Sequence, residues 1–395
     1  MEFFELFLHN TGLISMGQDG WMWAWRQPLM IMIGLILVAL AIKKGYEPLL
    51  LVPIGFGMVI GNIPYPRGEI LGAYDFGSTF YWLYWPVRHE ILPPLIFLGV
   101  GALTDFSALI SNPRLVLLGA AAQAGVFVTM IGAIFLAWSG NLAGIGWLDF
   151  NVAEAAAIGI IGGADGPTAI YIATKLAEDM VGVIAISAYA YMSLVPVIQP
   201  PIMRLLTTPE ERRIRMAPPR QVSRRVLILF PIVAFILCAM IIPQAMTLLG
   251  MLFFGNLLRV SGVTERLSRT VGGPFIDAVT VILGLSVGLA TTHDRFLEPR
   301  TLVVFALGAF AFAVATATGV MFAKLMNKLS ATPINPLVGS AGVSAVPMAA
   351  RVSQKVAFEE DPNNYLLFHA MAPNVAGVIG TAVAAGVFIA MLMRV

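Results

Sequence analysis

Charge is what this chain has least of. Asp, Glu, Lys and Arg make up 12% of its 395 residues, against about 25% in an average soluble domain. Hydrophobic residues make up 58%. Windows 115–148, 180–203, 226–258 and 301–323 contain no charged residue, and 362–393 holds only His369. A bilayer core needs about 20 apolar residues per helix. Buried helices of a soluble α/β enzyme rarely run so long without a charge, so these windows read as membrane spans. Cysteine is nearly absent: Cys238 stands alone in an apolar run, which excludes a disulfide framework and a thiolate metal site. The four histidines are scattered without ligand spacing. No P-loop, dinucleotide fingerprint, HExxH or GxSxG elbow is present. The start lacks the basic n-region and apolar core of a cleaved signal peptide, with Glu2, Glu5 and Asp19 in their place. Residues 1–27 are expected to form an interfacial segment, with Trp21, Trp23 and Trp25 at the membrane surface.

Such charge as there is clusters. The segment 204–225 carries seven arginines against Glu210 and Glu211, and Lys43 and Lys44 close the first span. The positive-inside rule places both in the cytoplasm and the N-terminus outside. No element around this loop would present it to a duplex, so nucleic-acid binding is a poor reading. The two halves also resemble each other. PLLLVPIGFGMVIGN at 48–62 has a counterpart in AMTLLGMLFFGNLL at 245–258, and Gly163, Gly166, Thr168 and Lys175 match Gly339, Gly342, Ser344 and Arg351 at a constant offset of 176. The expected fold is an all-α polytopic membrane protein of transporter-like design. It has two inverted repeats, 28–200 and 226–395, joined by a basic cytoplasmic loop, 201–225, and each repeat contributes broken or re-entrant helices at mid-depth.

The most informative stretch is GIIGGADGPTAIYIATKL, 159–176. In lipid every backbone amide and carbonyl needs a partner, so a Gly-Gly-Ala-Asp-Gly-Pro run belongs in buried protein or on a water-filled cavity. Segment 159–164 reads as a helix ending and 167–178 as one beginning, with Pro167 in its first turn. Asp165 with Thr168 and freed carbonyls offers hard oxygen ligands, suited to Na⁺ or a proton. Asp165 as a helix cap is an alternative, and one compatible with ion binding. A second broken segment, 330–355, offers Asn335, Ser340 and Ser344, with Arg351 as the lone charge between Lys328 and Lys355. Arg351 is either an interfacial anchor, a structural partner to match Lys175, or a cation for an incoming carboxyl group. A third break is marked by Pro373 and Asn374, just after His369. Tyr191 offers a hydroxyl to a buried network, and Tyr189 points to another face. Asp105 fits a cap, and Asp277 a second polar contact. From the residues alone the reading is a cation-coupled membrane transporter.

GGADGPTAIY at 162–171, INPLVGSAGVSAVPMAARVS at 334–353 and FHAMAPNVAGVIGTAVAAG at 368–386 closely resemble the β subunit of the sodium-pumping biotin-dependent decarboxylases. The likeness spans nearly the whole chain. It implies a membrane subunit in which N-carboxybiotin, brought by a biotin carrier domain, is decarboxylated with uptake of a proton and export of Na⁺ across the bacterial inner membrane. It implies a carboxyltransferase (α) subunit, a small γ or δ membrane subunit, and a homo-oligomer as a further possibility. The carried-over roles are Asp165 for Na⁺ and proton exchange, Tyr191 for the same site or proton delivery, and Ser344 for a Na⁺- or proton-linked hydroxyl. Arg351 falls to the carboxybiotin carboxylate, and Asn335 and Asn374 to Na⁺ coordination. The main rival is a Na⁺-coupled secondary transporter of a small carboxylate; a membrane scaffold for the decarboxylase is the non-enzymatic one.

Overall fold

The structure is a computed structural model that describes residues 11–12, 24–45, 47–66, 68–330 and 332–393. Most of the expected interfacial segment, with Trp21 and Trp23, lies outside them. The described residues form helices and no strand. In order, the main helices are α1 (Arg26–Lys44), α2 (Pro48–Gly61), α3 (Thr79–Arg88), α4 (Leu92–Leu103), α5 (Val116–Ala122) and α6 (Ala124–Leu142). Then come α7 (Val152–Ile160), α8 (Gly166–Leu176), α9 (Val181–Leu206), α10 (Arg224–Ile241) and α11 (Met246–Val260). The last are α12 (Ile276–Ala290), α13 (Pro299–Leu329), α14 (Met348–Glu360) and α15 (Leu367–Leu392).

Among the described residues seven helical stretches are long and apolar enough to cross a membrane. The chain is therefore an all-α polytopic membrane protein. Helices α1 and α10 turn most of their apolar surface outward, as lipid-facing helices do, whereas α9 and α15 are largely buried. Helices α2, α4 and α7 are shorter than a full span.

Two tight pairs build one side of the molecule. Helix α2 packs on α12, and α4 on α11. Backbones touch in both: a Cβ on Gly57 would lie 2.4 Å from the Leu285 carbonyl oxygen, and one on Gly101 would lie 2.0 Å from that of Leu252. With lipid tails as apolar as any side chain, such close small-residue contacts drive helix association in a bilayer. Each pair is locked by one buried asparagine. Asn62 donates to the Thr291 carbonyl beyond the end of α12, and Asn256 to the Thr104 carbonyl beyond the end of α4, both at 2.8 Å.

The other side is built around α13, which packs on α6, α9 and the broken segment 336–342. The arginine-rich loop is pinned to the end of α14. Arg204 pairs with Glu359, Arg212 with Glu360 at 2.6 Å, and Arg215 with Asp361 at 2.7 Å.

Candidate functional site

The chain breaks at Asp165 as its local chemistry dictates. Helix α7 opens with a reciprocal cap, Asn151 accepting from the Glu154 amide and Glu154 accepting from the Asn151 amide. It tightens into a turn at Ile161–Gly163, and Ala164 takes a left-handed conformation (φ 53°, ψ 43°). Asp165 is extended and caps α8: its Oδ1 accepts the Thr168 amide at 3.1 Å. Capping uses one carboxylate oxygen only. Oδ2 is buried without a hydrogen-bond partner, and so is the Thr168 hydroxyl. Asp165 is 5% exposed, and no Lys or Arg pairs with it among the described residues.

The second break meets the first directly. Residues 336–342 form a 3₁₀ segment and Val343 is extended. The Ser344 amide donates to the Gly163 carbonyl at 2.8 Å. The Ser344 hydroxyl shares a 2.7 Å hydrogen bond with Thr381 of α15, whose hydroxyl also donates to the Gln123 side chain at 3.2 Å. Asn374 of α15 donates to the Ala341 and Val343 carbonyls at 3.0 and 2.6 Å, which satisfies the unwound backbone. Its own Oδ1 is left buried and unpartnered.

A cavity of about 300 Å³ opens at this junction. Asp165, Tyr189 and Ser344 line it, together with Glu47, Asp277 and Thr280. The tyrosine here is Tyr189. Its ring covers Gly166 so closely that a Cβ there would lie 2.1 Å from the ring's Cε1, and its hydroxyl is buried without a partner. Uncommitted buried oxygens of Asp165, Thr168, Tyr189, Gln199 and Asn374 thus come from the two meeting breaks and the helices packed on them. They are hard, neutral or anionic ligands, the kind that suits an alkali cation or a proton.

Other expected residues lie elsewhere. Tyr191 does not line the cavity; its hydroxyl donates to the Phe305 carbonyl of α13. The two tyrosines are two positions apart on one helix and so face different neighbours. Asn335 does not line it either. It accepts the Leu337 amide at 3.0 Å and donates to the Arg212 and Ile214 carbonyls, both at 2.8 Å, a grip on the arginine-rich loop that Asn364 duplicates. Its carbonyl oxygen is engaged as a cap, which removes the ground for placing it with Asp165. Arg351 lies in the first turn of α14, exposed and without an ion pair among the described residues. Its sequence counterpart Lys175 is saturated, bound to Glu90 at 2.5 Å and lying over the Tyr171 ring. His369 lines a separate cavity with Arg114, Arg215 and Arg220. Asp105 caps at Ser107.

Sequence reasoning missed Glu47, Gln123 and Thr381. Gln123 carried a signal, as a lone amide in the charge-free window 115–148. Glu47 and Thr381 reach the site through tertiary packing that no local pattern encodes.

The family model described as the Na⁺-transporting oxaloacetate decarboxylase beta subunit matches residues 26–392. The probable oxaloacetate decarboxylase beta chain of Vibrio cholerae is 48% identical, over 93% of this chain and 96% of its own length. The methylmalonyl-CoA decarboxylase subunit beta of Propionigenium modestum is 50% identical, over 98% of each chain. The glutaconyl-CoA decarboxylase subunit beta of Acidaminococcus fermentans is 51% identical, over 93% of this chain and 94% of its own. The chain belongs to the family of beta subunits of Na⁺-transporting decarboxylases.

Proposed function

We propose that this chain is the subunit in which N-carboxybiotin, presented by a partner's carrier domain, loses CO₂ while Na⁺ is exported and a proton taken up. The observation that carries the reading is the buried Asp165 carboxylate, which caps α8 with one oxygen and keeps the other uncommitted. A buried acid without a fixed counter-ion takes up a mobile cation or a proton. Release of CO₂ leaves negative charge on a ureido nitrogen, and a proton quenches it. Na⁺ and a proton competing for Asp165 couple that demand to ion release. Thr168, Tyr189 and Asn374 supply neutral oxygens to the same cation, and the Ser344 hydroxyl, tied to Thr381 and Gln123, orients the wall between them.

Arg351 suits the arriving carboxylate, because it is exposed and no acid pairs with it among the described residues. Its role is binding: a charge partner that persists in the transition state as in the ground state does not lower the barrier. Tyr191 contributes by fixing α9 to α13, and Asn335 by holding the arginine-rich loop.

The partners are a carboxyltransferase subunit, a biotin carrier domain and a small membrane subunit, in the bacterial cytoplasmic membrane. The three relatives named above carry three different substrates at 48–51% identity, so we assign substrate choice to the carboxyltransferase. The halves 28–200 and 226–395 act as two related, inverted units. Support comes from the exchange in which α2 packs on α12 and α11 on α4, each pair locked by the asparagine that follows a glycine, Gly61-Asn62 and Gly255-Asn256.

The test is decarboxylation of free N-carboxybiotin by the complex in sealed vesicles. Na⁺-dependent CO₂ release with Na⁺ uptake is expected. CO₂ release indifferent to Na⁺, or none, overturns the reading.

A further inference from the structure

The cavity at the breaks is lined by two further acids from outside them, Glu47 and Asp277. Glu47 forms the turn between α1 and α2 with a left-handed backbone (φ 38°, ψ 60°). Such a conformation costs a residue other than glycine about 1–3 kcal/mol and persists where the surroundings impose it. Glu47 stands at the N-cap of α2, yet its side chain caps nothing. It lines the cavity instead. The turn is therefore not shaped by capping chemistry, which Asp, Asn or Ser would serve better.

A second observation points to a ligand in the cavity. The Tyr189 hydroxyl is buried, has no hydrogen-bond partner, and belongs to a side chain that lines the cavity with both Asp165 and Glu47. No salt bridge holds the Glu47 carboxylate among the described residues. Glu47 is thus an acid held open. Several carboxylates lining one low-dielectric cleft concentrate small cations. The cavity of about 300 Å³ has room for an ion together with water.

We propose that Glu47 is a further ligand of the transported monovalent cation, holding it in the cavity that Glu47 lines together with Asp165, with the Tyr189 hydroxyl serving both carboxylates. Asp277 adds to the attracting field. The proposal rests on the reading of this chain as a Na⁺ carrier and extends it to a residue from a different helix turn.

The experiment is equilibrium binding of radiolabelled Na⁺ to the purified complex, wild type and Glu47→Gln. The half-saturating Na⁺ concentration is expected to rise about tenfold, the order of one favourable contact, with saturation binding and assembly unchanged. Glu47→Asp is expected to fall between the two. A Glu47→Gln complex with wild-type Na⁺ affinity overturns the proposal. If that variant fails to assemble, Glu47→Cys in a Cys238→Ser background is modified after assembly with an anionic or a cationic methanethiosulfonate. Tighter Na⁺ binding by the anionic adduct is expected, and equal binding by both overturns the proposal. Neither readout uses carboxybiotin. Glu47-dependent Na⁺ binding without carboxybiotin decarboxylation sinks the proposed reaction and keeps Glu47. Na⁺-dependent decarboxylation with Na⁺ binding indifferent to Glu47 does the reverse.

Discussion

The two broken segments that meet at the cavity are built from the same small residues, yet they spend their polar atoms differently. Around 161–168 the carboxylate of Asp165 and the hydroxyl of Thr168 keep oxygens without a partner among the described residues. Around 335–347 the side chains are committed. Asn335 grips the arginine-rich loop, Ser340 bonds to Ser353 at 2.9 Å, and Ser344 bonds to Thr381. In the function proposed above, one break is held ready for a ligand and the other holds it in place. A buried polar group left unpaired costs about 1–3 kcal/mol, so several around one junction persist where a ligand repays them.

The sharpest way to break this contrast is to fill the wall of the first segment. In Gly166→Ala the new methyl group would overlap the buried Tyr189 ring. Overpacking costs about 1–3 kcal/mol, and the ring has to leave the cavity. We expect Na⁺-dependent decarboxylation to be lost while the complex still assembles, checked by vesicle assay and size-exclusion chromatography. Asn374 sharpens the contrast, since it serves both segments. Asn374→Leu removes one uncommitted oxygen and two donors to unwound carbonyls. We expect the half-saturating Na⁺ concentration to rise by about tenfold, with a lowered thermal midpoint. Asn335→Ala should leave Na⁺ binding alone and lower thermal stability modestly, because the Arg212 and Ile214 carbonyls keep Asn364 as a donor while the Leu337 amide loses its acceptor, a loss of about 1 kcal/mol. A change in Na⁺ affinity as large as that of Asn374→Leu would erase the distinction drawn here.

The smallest effect concerns the outer anchor of the second segment. Hydrogen bonding and charge from Arg215 hold the Asp361 carboxyl below the usual aspartate range. Its stabilising contribution is present above about pH 4, the ordinary aspartate value. It is lost as the pH falls through the lowered folded value. Asp361→Asn should therefore flatten the acid side of the thermal midpoint against pH and change little at neutrality.

Much of this was legible in the sequence where the governing physics is local. Charge-free windows longer than a bilayer is thick have one common use, and Gly-Gly-Ala-Asp-Gly-Pro can neither continue a helix nor face lipid. The break at Asp165 followed from those residues alone, and capping was one of the two compatible readings they offered for its side chain. Tyr189 and Tyr191 show where local reasoning ends. Their separation says that they face differently, but which one meets Gly166 depends on how α8 packs on α9. The arginine-rich loop is a similar case. Its charge indicated a side of the membrane, while its pinning to Glu359, Glu360 and Asp361 joins residues about 150 positions apart in sequence. Glu47 was hidden for the same reason, since nothing near it in the chain marks it as lining one cavity with Asp165.

The central claim is that the uncommitted oxygen of Asp165 takes the transported ion. Equilibrium binding of radiolabelled Na⁺ to the purified complex, wild type against Asp165→Asn, tests it most directly. The account predicts saturable binding in the wild type and its loss in an Asp165→Asn complex that still assembles. Undiminished Na⁺ binding by Asp165→Asn would contradict it.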